Sequence, residues 1–316
     1  ELSRRLAGAS ADLIHWLVDE WEINWHLHDD FKYPGHSEYR YHSVEGKGGA
    51  EMIDQLQARA EATENIEMLT DTPVRNIVKD GGAVVGVVAG KNRSEAIGGD
   101  AVILAADGFP GNRQMLAEWC EGAENAIYTG ADGNTGDAIR WGAELGAELR
   151  YMDSFQAYAT QAMNGIKSPY GIQMNGGIVV DGNGQRIGDE ALGPAEFAAD
   201  VLKESTGDTF EIFDQRIYDM LLENNKGAVT KFKKAIEQDT YSKGETIEEL
   251  AESLGCDPEA TRRTVEAYND AIRADEPDEV SRTDFRSVLE PPFYGGKIQA
   301  AIEVTQGGLV IDTDAR

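Results

Sequence analysis

Cysteine is scarce. Cys120 and Cys256 lie far apart and outside any Cys-x-x-Cys pair, so the sequence encodes no disulfide framework, and two buried free thiols are expected. Long apolar runs are missing as well: none approaches the roughly 18 residues of a membrane span. Basic residues are few, with 29 Lys and Arg against 57 Asp and Glu and a formal net charge of −28. That balance excludes nucleic acid and anionic membrane surfaces as partners. The acidic excess is spread along the chain and reads as a solvated surface. Histidine stops early, all five falling at or before His42. His26 and His28 beside Asp29 and Asp30 match no common closed zinc spacing, and Phe31, Tyr33, Tyr39 and Tyr41 point to a packed surface loop, so no metal is expected.

What is present is a chain of 316 residues, long enough for one large or two modest domains. Residues 2–25 repeat apolar positions at Leu6, Ala9, Leu13, Leu17 and Trp21, an amphipathic helix expected to pack on a core. Gly46-Lys47-Gly48-Gly49 opens a helix over 50–62. The period then changes to that of strands over 66–69, 72–79, 83–90 and 100–105, with Asp80-Gly81-Gly82 as a hairpin turn. Residues 148–172 read as irregular. A second hairpin turns at Asp181-Gly182-Asn183-Gly184, helices follow over 194–204 and 215–223, and a strand over 210–213 lies between them. Two capped helices come next, 246–254 behind Thr246 with Glu249 at its third position, and 258–273 behind Asp257 with Pro258 first. No internal repeat is visible.

The organising stretch is Asn134-Thr135-Gly136-Asp137 running into Ala138-Ile139-Arg140-Trp141-Gly142-Ala143, a loop that opens an amphipathic helix and offers main-chain N–H groups to an anion. It resembles the Thr-Gly-Asp-Gly segment of the fumarate reductase and succinate dehydrogenase flavoprotein superfamily. Four further segments match in the same order. They are Leu104-Ala105-Ala106-Asp107-Gly108-Phe109, the hairpin at Gly176-Gly177-Ile178-Val179-Val180-Asp181, the paired helices around Leu254-Gly255-Cys256-Asp257 and Tyr268-Asn269, and Thr305-Gln306-Gly307-Gly308-Leu309.

The resemblance implies an α/β plus α+β chain: a partial glutathione-reductase-like FAD-binding fold over 1–114 and 291–316, with an inserted substrate-capping domain over 115–290. FAD is the implied cofactor. Its contacts would be Val74, Ala105, Ala106, Gly108, Thr135, Gly136, Asp137, Thr305, Gln306 and Gly307. The family's opening Gly-x-Gly-x-x-Gly turn and its closing flavin segment do not occur in the sequence, so the chain resembles an internal portion of such an enzyme, and FAD binding by it alone is expected to be weak or absent. Its compartment is left open.

Catalytic positions carried over from the family's fumarate reductases are all changed: Pro194 stands for the acid arginine, Tyr170 and Gln173 for the proton-relay Glu and Arg, and Tyr158 and Val304 for two histidines. True fumarate chemistry is therefore not expected. Tyr158, Tyr170 and Gln173, with Tyr151 nearby, instead resemble the 3-ketosteroid dehydrogenase branch, where phenols polarise a ketone, and a phenol of lowered pKa can act as a general acid. Arg150 and Arg186 could anchor an acidic substrate, although arginines in hairpins usually face solvent. The implied function is hydride transfer at a C–C bond next to a carbonyl or carboxyl group of a small molecule, with room for an electron-transfer partner. The alternative is a catalytically silent module that binds a ligand or a partner.

Overall fold

The computed structural model describes residues 1–29, 36–45, 49–92, 94–204, 207–223 and 228–316. Two compact units emerge. Unit 1 takes Glu1–Gly108, Gly136–Arg150 and Gly308–Arg316, and unit 2 takes Phe109–Thr135 and Tyr151–Gly307.

Unit 1 begins with the helix Leu2–His15, which continues as a wider turn over Trp16–Glu20. The helix forms as its spacing predicts, yet it buries none of its residues, and Leu6 stays 74% exposed. The expected core role is therefore not realised. The expected helix after the glycine-led turn appears as Gly49–Glu61, while Gly46, Lys47 and Gly48, like Asp30, Phe31 and Tyr33, lie outside the described residues. Val74–Asp80, Ala83–Ala89 and Glu95–Gly98 make a three-stranded antiparallel sheet. Its first turn is set by Gly81 and Gly82, at φ of +56° and +88°, the left-handed pair that a two-residue hairpin requires. Two expected strands fail: 66–69 and 100–105 carry no ladder, and Ile103 is 90% exposed. Apolar β-branched composition marks a segment fit for a sheet, but a strand exists only where a neighbour accepts and donates its main-chain bonds.

Unit 2 is built on a six-stranded sheet whose axis is the strand Phe293–Thr305. One half of that strand pairs antiparallel with Thr209–Asp214 and the other half with Phe155–Ala162, the change of partner accompanied by register shifts near Gln299 to Ala301. This corrects two expectations. Residues 293–305, assigned to the nucleotide domain, are hydrogen-bonded into the sheet of unit 2, and 155–162, expected to be irregular, form a strand. The polar Gln156, Thr160 and Gln161 hid the latter from a hydropathy pattern.

Both faces of this sheet are covered. Ile178, Val180, Phe210 and Ile212 enter one apolar cluster with Leu250 and Tyr268, while Val179 enters a second with Tyr158, Tyr170 and Phe197. Two buried faces explain why 209–214 is buried at every residue. The helices Ile247–Leu254 and Pro258–Ala274 start where their caps demand: Thr246 Oγ1 accepts from the Glu249 N–H at 3.2 Å, and Asp257 Oδ1 from that of Ala260 at 2.8 Å. Cys120 and Cys256 are both buried and free. Among the described residues no helix is long and apolar enough to cross a membrane.

Candidate functional site

In unit 1 the structure gathers three of the expected FAD contacts. Gly136, at φ +79°, stands immediately before the helix Asp137–Glu144, and its N–H donates to the Gly108 carbonyl at 3.0 Å. Asp137 pairs with Arg140 one turn on. The Ala105 and Ala106 side chains are exposed in the run that forms no strand, and Asp107 after them sits at φ +55°. That left-handed geometry suits glycine best and an acidic residue passably. Val74 opens the three-stranded sheet opposite Ala89, on a separate element.

Unit 2 holds the remaining expected contacts. Thr305 Oγ1 accepts from the Phe109 N–H at 2.9 Å, the Thr135 carbonyl accepts from Asn112 Nδ2 at 2.9 Å, and the Gln306 N–H donates to the Ser154 carbonyl at 2.8 Å. Gly307 has a reason of its own to be glycine: a Cβ there would lie 2.4 Å from the Met152 Cα and 2.5 Å from the Tyr151 carbonyl oxygen. Because backbone cannot step aside as a side chain can, Gly307→Ala should destabilise unit 2 by about 1–3 kcal/mol. A urea titration checks this, and an unchanged midpoint would refute the packing assignment.

The phenols are placed differently from expectation. Tyr158 donates to the Ser168 carbonyl at 2.7 Å and accepts from the Tyr170 N–H at 3.0 Å. Tyr170 donates to the Glu190 carbonyl at 2.8 Å, and both residues are buried. Burial raises both pKa values, and the Glu190 carboxylate raises that of Tyr170 further. The lowered pKa a phenolic acid would need is absent, because a phenolate in this apolar packing would lose its hydration. In this arrangement each hydroxyl proton is committed to a main-chain carbonyl.

Gln173 joins two buried networks that the sequence did not reveal. Its Nε2 donates to Glu211 at 2.9 Å while its Oε1 has no partner among the described residues. Glu211 also accepts from Ser168 Oγ at 2.6 Å, and Ser168 Oγ lies 2.9 Å from the Tyr241 hydroxyl. Complete burial pushes the Glu211 carboxyl up to about 7 despite these hydrogen bonds. On its other side the Gln173 carbonyl accepts from Arg282. Arg282 Nη1 donates to Glu190 Oε2 at 3.0 Å and to the Gly177 carbonyl at 2.9 Å, and Arg186 reaches Glu190 and, at 3.0 Å, Asp278. The Arg282 and Arg186 side chains are 0% exposed, so Arg186 is no surface anchor for substrate. Two guanidinium groups against two carboxylates make the cluster neutral. Arg150, by contrast, is exposed beside Glu148.

Sequence offered one signal for these groups: Glu211 is a carboxylate inside the apolar run Phe210 to Phe213. Arg282 gave none, since it stands among Asp278, Glu279 and Asp284 like a residue of an ordinary polar loop.

The chain belongs to the FAD binding domain family, whose model matches residues 3–316. It is 30% identical over 323 residues to a urocanate reductase of Eggerthella lenta, covering 96% of this chain and 51% of that protein. An open conformation of a flavocytochrome c3 fumarate reductase superposes with a TM-score of 0.82 at 27% identity, over 99% of this chain and 54% of the other. A 3-ketosteroid Δ1-dehydrogenase from Sterolibacterium denitrificans shares the fold, with a TM-score of 0.65 at 24% identity over 96% and 58% of the two chains. The chain thus spans about half the length of the curated relatives it matches. FAD is the cofactor this family binds.

Proposed function

We propose that the protein is an FAD-dependent oxidoreductase working by hydride transfer at a C–C bond next to a carbonyl or carboxyl group, and that fumarate is not its substrate. The observation that carries this reading is the family match running from residue 3 to residue 316. FAD, when bound, supplies the hydride chemistry. Within unit 1, Ala105, Ala106, Gly108, Gly136 and Asp137 would hold it. They fit in one tangible respect: Ala105 and Ala106 are exposed, present only methyl groups, and lie in a run whose main chain is not used in a ladder.

The case against fumarate rests on the residues themselves. A dicarboxylate needs cations at both ends, whereas Pro194 carries no charge and Arg186 and Arg282 are locked in the buried cluster. Tyr158, Tyr170 and Gln173 then act by shaping and supporting the capping unit.

In an anaerobic assay with reduced methyl viologen as donor, the protein extended by the flanking segments its longer relatives carry and loaded with FAD should reduce urocanate or cyclohex-2-enone with a kcat/KM about 100-fold above that for fumarate. Preference for fumarate would sink the substrate assignment. Turnover of nothing by the flavin-loaded protein would favour the silent binding module, to which the committed phenol protons already lend some support.

A further inference from the structure

Unit 1 has little core of its own. Both apolar clusters lie wholly in unit 2. Among the described residues, the buried apolar side chains of unit 1 are Ile23, Val44, Ala89, Ala138, Ile139 and Trp141, and the last three come from a single helix. Apolar side chains are instead left in water on three of its elements. Leu6 and Leu13, two turns apart on one face of the helix Leu2–His15, are both exposed. Ile77, Val87 and Ile97 stand opposite one another across the three-stranded sheet, and Ile97 is exposed. Ile103, at 90% exposed, lies in the run 101–106, which makes no main-chain hydrogen bond among the described residues.

That run carries the argument furthest. Ala101-Val102-Ile103-Leu104-Ala105-Ala106 is apolar at six successive positions, without the alternation of a strand that keeps one face in water. Such a pattern belongs to a strand covered on both faces. Here neither its side chains nor its N–H and C=O groups are covered, so the run is a sheet edge waiting for a neighbour. Charge and length decide which neighbour. A formal charge of −28 on each chain opposes a second copy of it and an anionic membrane alike. The curated relatives, by contrast, are about twice as long as this chain, and a segment joined covalently meets unit 1 at high effective concentration.

We propose that unit 1 is a docking surface for a further segment of its own polypeptide, drawn from the flanks that its longer relatives carry, and that this segment adds a β-strand alongside Ala101–Ala106 and lays apolar side chains over Ile103. The run then becomes the strand that its composition marks. On the oxidoreductase reading, Ala105 and Ala106 at its end are set in place by the same step; the docking itself does not rest on that reading.

Hydrogen exchange read by mass spectrometry compares the chain with the protein extended by those flanking segments, both free of flavin. The amides of 101–106 should exchange at close to the rate of unstructured peptide in the chain, and at least about 100-fold more slowly in the extended protein. Ile103→Asp should leave the melting of the chain unchanged, because that side chain is already in water, and should lower the melting of the extended protein by about 5 °C or more. Equally fast exchange in both proteins overturns the proposal, and so does an extended protein that melts the same with Ile103→Asp as without it. Protection that arises in the chain alone and grows with its concentration also overturns it, since the occupant would then be a second copy. Failure here is separable from failure of the oxidoreductase reading, because the readout contains neither flavin nor turnover.

Discussion

Replacing Arg282 with Met lowers the stability of unit 2 by about 3–5 kcal/mol, which for a unit of this size moves its thermal transition down by roughly 10 °C or more. The reason is not the worth of any one ion pair. Burying two guanidinium groups and two carboxylates is itself costly, and the cluster stands because nearly every polar atom finds a partner: Glu190 receives Arg186, Arg282 and the Val179 N–H, and Arg282 also ties down the carbonyls of Gln173, Gly177 and Asp284. Removing Arg282 takes one of the four hydrogen bonds from Glu190 and leaves a single guanidinium against two carboxylates in a site that water cannot reach. Arg273→Met is the contrast, for Arg273 pairs with Asp270 in solvent and its loss should leave the transition nearly in place. Differential scanning calorimetry of both variants decides the matter, each transition being read separately because two units need not melt as one. An Arg282→Met protein melting with the parent would show that the cluster does not hold the sheet together.

A second large effect concerns pH. Glu211 is fully buried, its hydrogen-bond partners Ser168 and Gln173 are uncharged, and its pKa rises from 4.5 to about 7. A carboxyl group whose pKa is raised in the folded state binds its proton more tightly there than in the unfolded chain. Its contribution is therefore present in full below pH 4.5 and is lost as pH rises through about 7, at a total of roughly 3 kcal/mol. A half-turn of the Gln173 amide would present its unpartnered Oε1 to the protonated acid, so the neutral state can complete the network. Urea titrations from pH 4.5 to 8 should show stability falling with pH in the parent and the slope reduced in Glu211→Gln, whose amide copies the protonated acid. Equal slopes in the two proteins would contradict the assignment.

The outline of the fold could be read from local chemistry, and its failures follow a pattern. Caps and turns carried their own signals. Thr246, Asp257, the Gly81-Gly82 pair and the helix after Gly136 all stand where side-chain and backbone preferences put them, because those preferences act over four or five residues. Strands were less legible, since a strand needs a partner that sequence does not name. Residues 100–105 look like a strand and pair with nothing described, while 155–162 look irregular and pair along the longest strand of unit 2. At the candidate site, residue types were visible but their partners were not. Tyr158 and Tyr170 could equally face a ligand or a carbonyl, and only long-range contacts with Ser168 and Glu190 decide. The buried Arg186–Glu190–Arg282–Asp278 cluster was hidden for the same reason, each member looking like surface until the chain brings four of them together.

The central claim is that this chain is part of a flavin-dependent oxidoreductase, and a visible absorption spectrum tests it most directly. The chain itself, and the chain extended by the flanking segments its longer relatives carry, are each mixed with FAD and freed of unbound cofactor. Flavin bands near about 370 and 450 nm retained by the extended protein, with little or none on the chain alone, are the predicted result. Protein without flavin in either form would contradict the account and leave a fold of this family kept for binding.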